Sequence, residues 1–424
     1  MRYAPHSERL HTTGNYIMDL SRYTYDLPEQ RIARHPLEER DSSRLLVADV
    51  EEGTIRHRVF SDIADLLPEG SMLVVNRTRV IAARLQLFKP TGGRVEVFLV
   101  NPVAPSPDPA IVLASREPSD WECLIGGRHV LQDMVLVDRI SGDANLRAVV
   151  LSKTDGEATV RLQWSTGGTL SAILEEYGSV PLPPYLHRDA EESDKERYQT
   201  VFAREEGSVA APTAGLHFTP RVMDALGEKG VATAAVTLHV GMGTFKPVSA
   251  ADVRDHVMHR ERIGIARTEL ERIVEHTAHD EAWITVVGTT SLRTLESVYL
   301  FGARLVRDGF DTDGLDIGQW DALDTTLTSV SRHDAFDAVL EWMKANDMET
   351  CWGTTAVMLL PGAAIRSCDA LVTNFHQPGS TLLLLVAALC GEPFWRTIYG
   401  TALADGYRFL SYGDSSLIMR RSLR

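Results

Sequence analysis

Between Val80 and Trp164 the chain changes texture. Short strand-like stretches follow one another there: Ala83–Phe88, Arg94–Val100, Ala110–Ala114, Trp121–Ile125, Met134–Arg139, Arg147–Leu151 and Ala158–Gln163. Brief Gly, Pro, Asp and Ser connections separate them. Strands this short and this closely spaced must close or stack to bury their apolar faces, which predicts a small barrel or sandwich. On both sides the pattern is strand, loop and helix. Arg44–Asp49 and Ser71–Asn76 read as strands before it, with Asp26–Arg34 a short helix. After it come the helices Ser171–Tyr177, Pro220–Lys229 and Arg267–His279, the strands Ala232–Val240 and Trp283–Gly288, and a helix from about Ser291. The prediction is an α/β main domain, residues 21–80 and 170–424, with an inserted β-barrel-like domain at 81–169, a multi-domain α+β chain. Residues 1–20 are a polar extension.

Composition narrows the class. The 424 residues are 44% hydrophobic and 24% charged, which excludes a disordered chain. The cysteines Cys123, Cys351, Cys368 and Cys390 have no CxxC spacing, so neither a disulfide scaffold nor a zinc ribbon is expected. His256 and His259 lack a clustered third ligand, so no metal is expected. The N-terminus lacks the apolar core of a signal peptide. The longest apolar run, Leu382–Cys390, is nine residues, whereas a membrane span needs about 20. The expectation is a cytoplasmic protein without a membrane partner, and a monomer is favoured. The formal charge of −15 argues against nucleic acid when taken whole. Residues 303–350 hold eleven acids against four bases, however, so the remainder leaves room for a basic surface.

Five stretches are candidates for chemistry. VAAPTAGLHFTP (209–220) runs small residues past Thr213 and Gly215 into His217 and a helix, a loop through which backbone N–H groups can approach a ligand. TLHVGMGTFKPV (237–248) ends a strand at His239 with Gly241, Gly243 and Thr244, then Lys246. It lacks the third glycine of a dinucleotide site and the GKS/T of a P-loop. VVGTTSLRTLES (286–297) carries Thr289 and Thr290 from a strand to a helix start, with Arg293 and Glu296 spaced to pair. TNFHQPGS (373–380) places Asn374 and His376 where a strand opens. YRFLSYGD (407–414) sets Tyr407 beside Arg408, a mix suited to a base or a phosphate. Against each stands a plainer reading: a tight loop, a β-bulge, a capped helix, a core histidine, a packed strand. Arg77, Arg79, Arg84 and Arg94 form a local basic cluster that suits phosphates or a solvated surface. No GxSxG serine is present. From residues alone the reading stops at an enzyme with a nucleotide-like ligand.

In order along the chain, these stretches resemble the S-adenosylmethionine:tRNA ribosyltransferase-isomerase family of queuosine biosynthesis. The resemblance runs from YDLPEQRIARHPLEERDSSRLLV (25–47) through NRTRVIAARL, GGRVEVFLV, PLPPYLHR, ERYQTVFA, APTAGLHFT, TLHVGMGTFKPV, DHVMH and VGTTSLRTLES. It ends with TNFHQPGSTLLLLVAALCG and YRFLSYGDSSLI. It implies ribosyl transfer from S-adenosylmethionine to 7-aminomethyl-7-deazaguanine at the wobble position of tRNA. The products are epoxyqueuosine, adenine and methionine. S-adenosylmethionine is a substrate, and no cofactor is implied. The chemistry asks for a base near the sulfonium-activated 5′ carbon and a proton donor to adenine, which makes His217 the first candidate and His239 and His376 the next. The donor pocket is expected from Thr213, Gly215, Gly241, Gly243, Thr244, Thr289, Thr290, Arg293, Asn374, Tyr407 and Arg408. tRNA phosphates are expected at Arg79, Arg84 and Lys246.

Three features depart from the family pattern. The acidic stretch 303–350 reads as an insertion that repels RNA, covers a pocket or serves another partner. Ser179 stands where histidine is expected, and the N-terminal extension has no counterpart. Two other readings stay open: a paralogue with a different acceptor, and a non-catalytic tRNA-binding protein.

Overall fold

The computed structural model describes residues 20–139, 143–154, 156–241, 253–279 and 281–422. Its centre is a ten-stranded mixed sheet. From one edge the order is Leu315–Ile317, Thr350–Thr355, Glu261–Ala266, Ala232–His239, Met72–Asn76, Ile284–Val287, Ala370–Asn374, Ser415–Met419, Arg44–Asp49 and Thr54–Val59. The four strands from Ala232–His239 to Ala370–Asn374 run parallel. Their sequences, such as MLVVN and ITVV, are mostly apolar rather than alternating because helices cover both faces. Alternation sorts the side chains. Met72, Val74 and Val286 join one core with the helices Thr289–Asp308, Arg332–Ala345 and Thr381–Cys390. Leu73, Val75 and Val287 join the opposite core with Phe60 and the helix Pro220–Glu228.

The inserted region is a closed barrel. Strands Arg84–Phe88, Arg94–Ala104, Ser119–Gly126, Glu157–Trp164, Leu146–Thr154 and Val135–Val137 pair in that order, and Phe88 pairs with Val137 to close the ring. Closure removes the exposed edges that an open sheet of this size would carry. Its core is separate, built on residues such as Val97, Trp121, Val150 and Leu162. One expected strand is a helix: Pro109–Ala114 is α-helical, since the Asp108 side chain accepts from Ala110 N–H and Pro109 opens the first turn. The helix expected at Asp26–Arg34 is reduced to a 3-10 turn at Glu29–Arg31.

The acidic stretch is part of the main-domain core, and its charge lies on the outside. Leu315–Ile317 forms the sheet edge, and Arg332–Ala345 buries Phe336, Val339 and Met343 against the helix Thr289–Asp308. The helices approach at Gly302, where a Cβ would lie 1.8 Å from the Ala335 carbonyl oxygen. Arg304–Asp321 and Arg307–Asp324 ion pairs offset part of the charge. Ser179 donates to the Arg84 carbonyl at the barrel's base, so that departure serves strand pairing. Among the described residues, no single helix is long and apolar enough to cross a membrane. Helices Thr381–Cys390 and Glu392–Ala404 meet that measure only together, across a 113° bend, and their apolar side chains are core. The N-terminal extension, apart from Leu20, lies outside the described residues.

Candidate active site at the carboxyl ends of the central strands

Because the central strands run parallel, His239, Asn76, Gly288 and Asn374 meet at one edge of the sheet, the usual place for a ligand in such a fold. Asn76 fastens that edge. Its amide nitrogen donates to the Leu238 carbonyl at 3.2 Å, and its oxygen accepts from Thr78 N–H and Leu238 N–H. Gly288, at φ +85°, turns the chain from strand into helix and sets Thr289 and Thr290 on the edge. A cavity of about 100 Å³ lies there, walled in part by Thr213, Tyr198, Thr289, Thr290, Asn374 and His376.

The three histidines occupy different settings. His217 is packed behind Asn374. Its ring stacks on Phe60 with centroids 5.0 Å apart, and Nε2 accepts from the Asn374 amide at 3.4 Å. The network therefore assigns the proton to Nδ1, which donates to Ser43 Oγ at 2.8 Å. Both nitrogens are engaged, and the ring does not line the cavity. Burial pushes its pKa down to about 4, with Asp414 opposing the shift and Arg408 adding to it. His217 thus positions Asn374. His376 does line the cavity; its Nε2 lies 2.8 Å from Thr373 Oγ1, and burial lowers its pKa to about 4. His239 faces elsewhere, into a larger cleft.

That cleft, about 790 Å³, lies between the barrel and the main sheet. Strand register puts His239, Arg262 and Thr354 in one cross-strand row, with Thr237, Gly264 and Trp352 in the next on the same face. Trp352 lies flat because Gly264 leaves room; a Cβ there would sit 2.5 Å from the indole. The His239 ring is nearly parallel to it at 6.0 Å, and the Arg262 guanidinium lies 4.5 Å from its centroid. Arg262 also bonds Asp108 at 2.7 Å, tying the main sheet to the barrel-side helix. His239 Nδ1 is buried without a hydrogen-bond partner among the described residues. Burial and Arg262 lower its pKa to about 4, so the ring is neutral near pH 7. Gly241 lines the same cleft, and Val240 walls both spaces.

Other expected residues have other partners. Arg293 does not pair with Glu296. It forms a buried ion pair with Glu261, while Glu296 accepts from the backbone N–H groups of Arg366 and Ser367. Gly215 is pressed against Thr200, where a Cβ would meet Cγ2 at 2.9 Å, so its role is packing. Tyr407 is core: its hydroxyl bonds His57 Nδ1 at 2.7 Å, and Arg44 covers its ring. Arg408 bonds Asp414 at 2.8 Å. Arg84 is held by Glu96, and Arg79 lies near Glu175 and Glu206, so nearby carboxylates offset both charges. Gly243, Thr244 and Lys246 lie outside the described residues. Sequence reading missed Arg262, Trp352, Glu261 and Tyr198. The first three meet only through strand register, and no spacing in the chain displays that. Among the described residues, no three His, Cys, Asp or Glu side chains are grouped to hold a metal ion.

The chain is similar to known proteins along nearly its whole length. Residues 20–418 match the family model described as "Queuosine biosynthesis protein". The S-adenosylmethionine:tRNA ribosyltransferase-isomerase of Pelobacter propionicus is 40% identical over 95% of this chain and 100% of its own. The protein of that name from Sulfurihydrogenibium sp. is 38% identical, also over 95% of this chain and 100% of its own. A crystal structure of S-adenosylmethionine tRNA ribosyltransferase from Thermotoga maritima aligns at 28% identity over 94% of this chain and all of that one, with a TM-score of 0.46. With the family model covering nearly the whole chain and full-length relatives at this identity, the chain belongs to the queuosine biosynthesis protein family.

Proposed function

We propose that this protein is an S-adenosylmethionine:tRNA ribosyltransferase-isomerase. Its acceptor is 7-aminomethyl-7-deazaguanine in the wobble nucleotide of tRNA, and its products are epoxyqueuosine-tRNA, adenine and methionine. The carrying observation is that the strand-end cavity and the interdomain cleft share Val240 as a wall, with His239 beside their junction. A donor at the strand ends and a base extruded into the cleft would then meet at that point.

The residues divide the work as follows. Thr213, Thr289, Thr290 and Asn374 shape the donor pocket. The sulfonium of the donor acidifies its 5′ C–H, and a neutral histidine can take that proton. His239 is suited to this, because burial and Arg262 keep it neutral and its Nδ1 has no partner among the described residues. Loss of adenine, attack by the neutral aminomethyl group and closure of the epoxide with expulsion of methionine complete the exchange. Trp352 offers a flat aromatic surface on which an unpaired base can stack. His376, at the far side of the donor pocket, is the second proton-handling candidate. We place the protein in the cytoplasm, where its tRNA substrate resides; its four cysteines are free and buried.

The test is adenine release from S-adenosylmethionine, measured with and without tRNA carrying 7-aminomethyl-7-deazaguanine, followed by mass analysis of the nucleosides. Matched adenine and epoxyqueuosine are expected. Folded protein that releases no adenine with that tRNA would overturn the proposal.

A further inference from the structure

A second, smaller cavity of about 60 Å³ adjoins the first and shares Gln377, Ser380 and Leu382 with it. On its far side it shares His259 and Glu261 with the cleft. Its walls are mainly apolar, with Met258, Met358, Leu359 and Leu385. Arg293 enters from the helix Thr289–Asp308 and is 7% exposed. Its Nε donates to the Val357 carbonyl at 3.2 Å and its Nη1 to Glu261, which leaves Nη2 buried without a partner among the described residues. An arginine donor left unpaired in a protein interior is costly, and native structures rarely retain one without a use. The amino end of the ten-residue helix Thr381–Cys390 borders the same space. Ser380 Oγ accepts from Leu383 N–H, while Thr381 and Leu382 line the cavity. An arginine and a helix amino end together favour an anion, a planar carboxylate above all.

Resting on the S-adenosylmethionine reading, we propose that this cavity holds the amino-acid end of the donor, with Arg293 Nη2 binding its carboxylate. The nucleoside is left to the adjoining strand-end cavity, which shares Gln377, Ser380 and Leu382 with this one. The Met and Leu walls fit the methylene chain and the sulfur. The same contact keeps the methionine half in place while adenine departs, so Arg293 is a binding residue that acts through donor placement.

The experiment measures binding of S-adenosylmethionine and of its decarboxylated analogue by calorimetry. The natural protein should prefer the carboxylate form by roughly tenfold to a hundredfold, the range of one charge-assisted hydrogen bond. Arg293→Met alone would strand Glu261, so the variant is Arg293→Met with Glu261→Gln, its fold checked by thermal unfolding. In that variant the preference should fall to near one. Equal binding of both ligands by the natural protein would overturn the assignment without need of any variant. A preference that persists in the folded variant would overturn Arg293 as its source and leave the donor reading standing. Failure of the natural protein to bind either ligand would overturn the donor reading itself, and this inference with it.

Discussion

The two ends of the central strands are built to opposite rules. At the amino ends, the charged groups are paired. Asp369 accepts from Ile284 N–H at 2.9 Å and from both terminal nitrogens of Arg332, and Glu296 takes two backbone N–H groups nearby. At the carboxyl ends, His239 Nδ1, Asn374 Oδ1 and Arg293 Nη2 are buried and have no partner among the described residues. An unsatisfied buried polar group costs about 1–3 kcal/mol, so three of them use up a noticeable share of a stability of roughly 5–15 kcal/mol. One sheet thus carries a staple at one end and a destabilised edge at the other. His239, Asn374 and Arg293 each border a cavity.

The sharpest way to break this contrast is His239→Ala. If the ring moves a proton, turnover should fall by about 10² to 10⁴-fold, while thermal stability stays level or rises, because an unpaired buried nitrogen is removed. Single-turnover adenine release beside a melting curve reads both quantities. A variant with near-normal release would end the proton role of His239.

The mirror experiment is Asp369→Ala at the other end. It leaves the Arg332 guanidinium without its carboxylate and Ile284 N–H without an acceptor, at a cost of about 3 kcal/mol. Denaturant unfolding should show the loss, while adenine release per folded molecule stays the same. A large fall in turnover of the folded fraction would mean that the two ends are coupled.

How much of this contrast the chain displays depends on the range of the signal. The barrel was legible because its strands are local: LQL, VEVFLV and TVRLQW announce alternate burial within a few residues. Pro109–Ala114 misled because IVL suits a strand or a helix, and the Asp108 cap with Pro109 decided between them. The gathering of polar and glycine residues at the strand ends was legible too, since each central strand runs into glycine, threonine, asparagine or histidine. Which histidine does what was not. His217 sits in the most distinctive motif, yet the motif packs it between Phe60 and Asn374. Arg293 and Glu296 have the spacing of a pair, but each finds a better partner from a distant strand or loop. Charge counts in the acidic stretch ignore direction; Phe336, Val339 and Met343 face the core while the carboxylates face out.

The smallest effect concerns His217 and sharpens the comparison within the site itself. Its folded pKa, about 4, lies below its ordinary value near 6.5, and burial is the main cause. Folding therefore favours the neutral ring. That contribution is fully present above pH 6.5 and is lost as pH falls toward 4, since the unfolded chain takes up a proton that the folded one refuses. Between pH 7 and 5.5 the expected loss from this one residue is about 1 kcal/mol. His239 and His376 add losses of the same sign over the same window. His217→Gln keeps an acceptor near Asn374 and removes the titration. Its unfolding free energy should be lower at pH 7, where the Ser43 contact is gone, but should decline less steeply on acidification. Denaturant curves at pH 7, 6 and 5.5 compare the slopes. Equal slopes in the two proteins would mean that the His217 ring takes up its proton in the folded state, and that the pocket behind Asn374 is wetter than its packing against Phe60 and Ser43 implies.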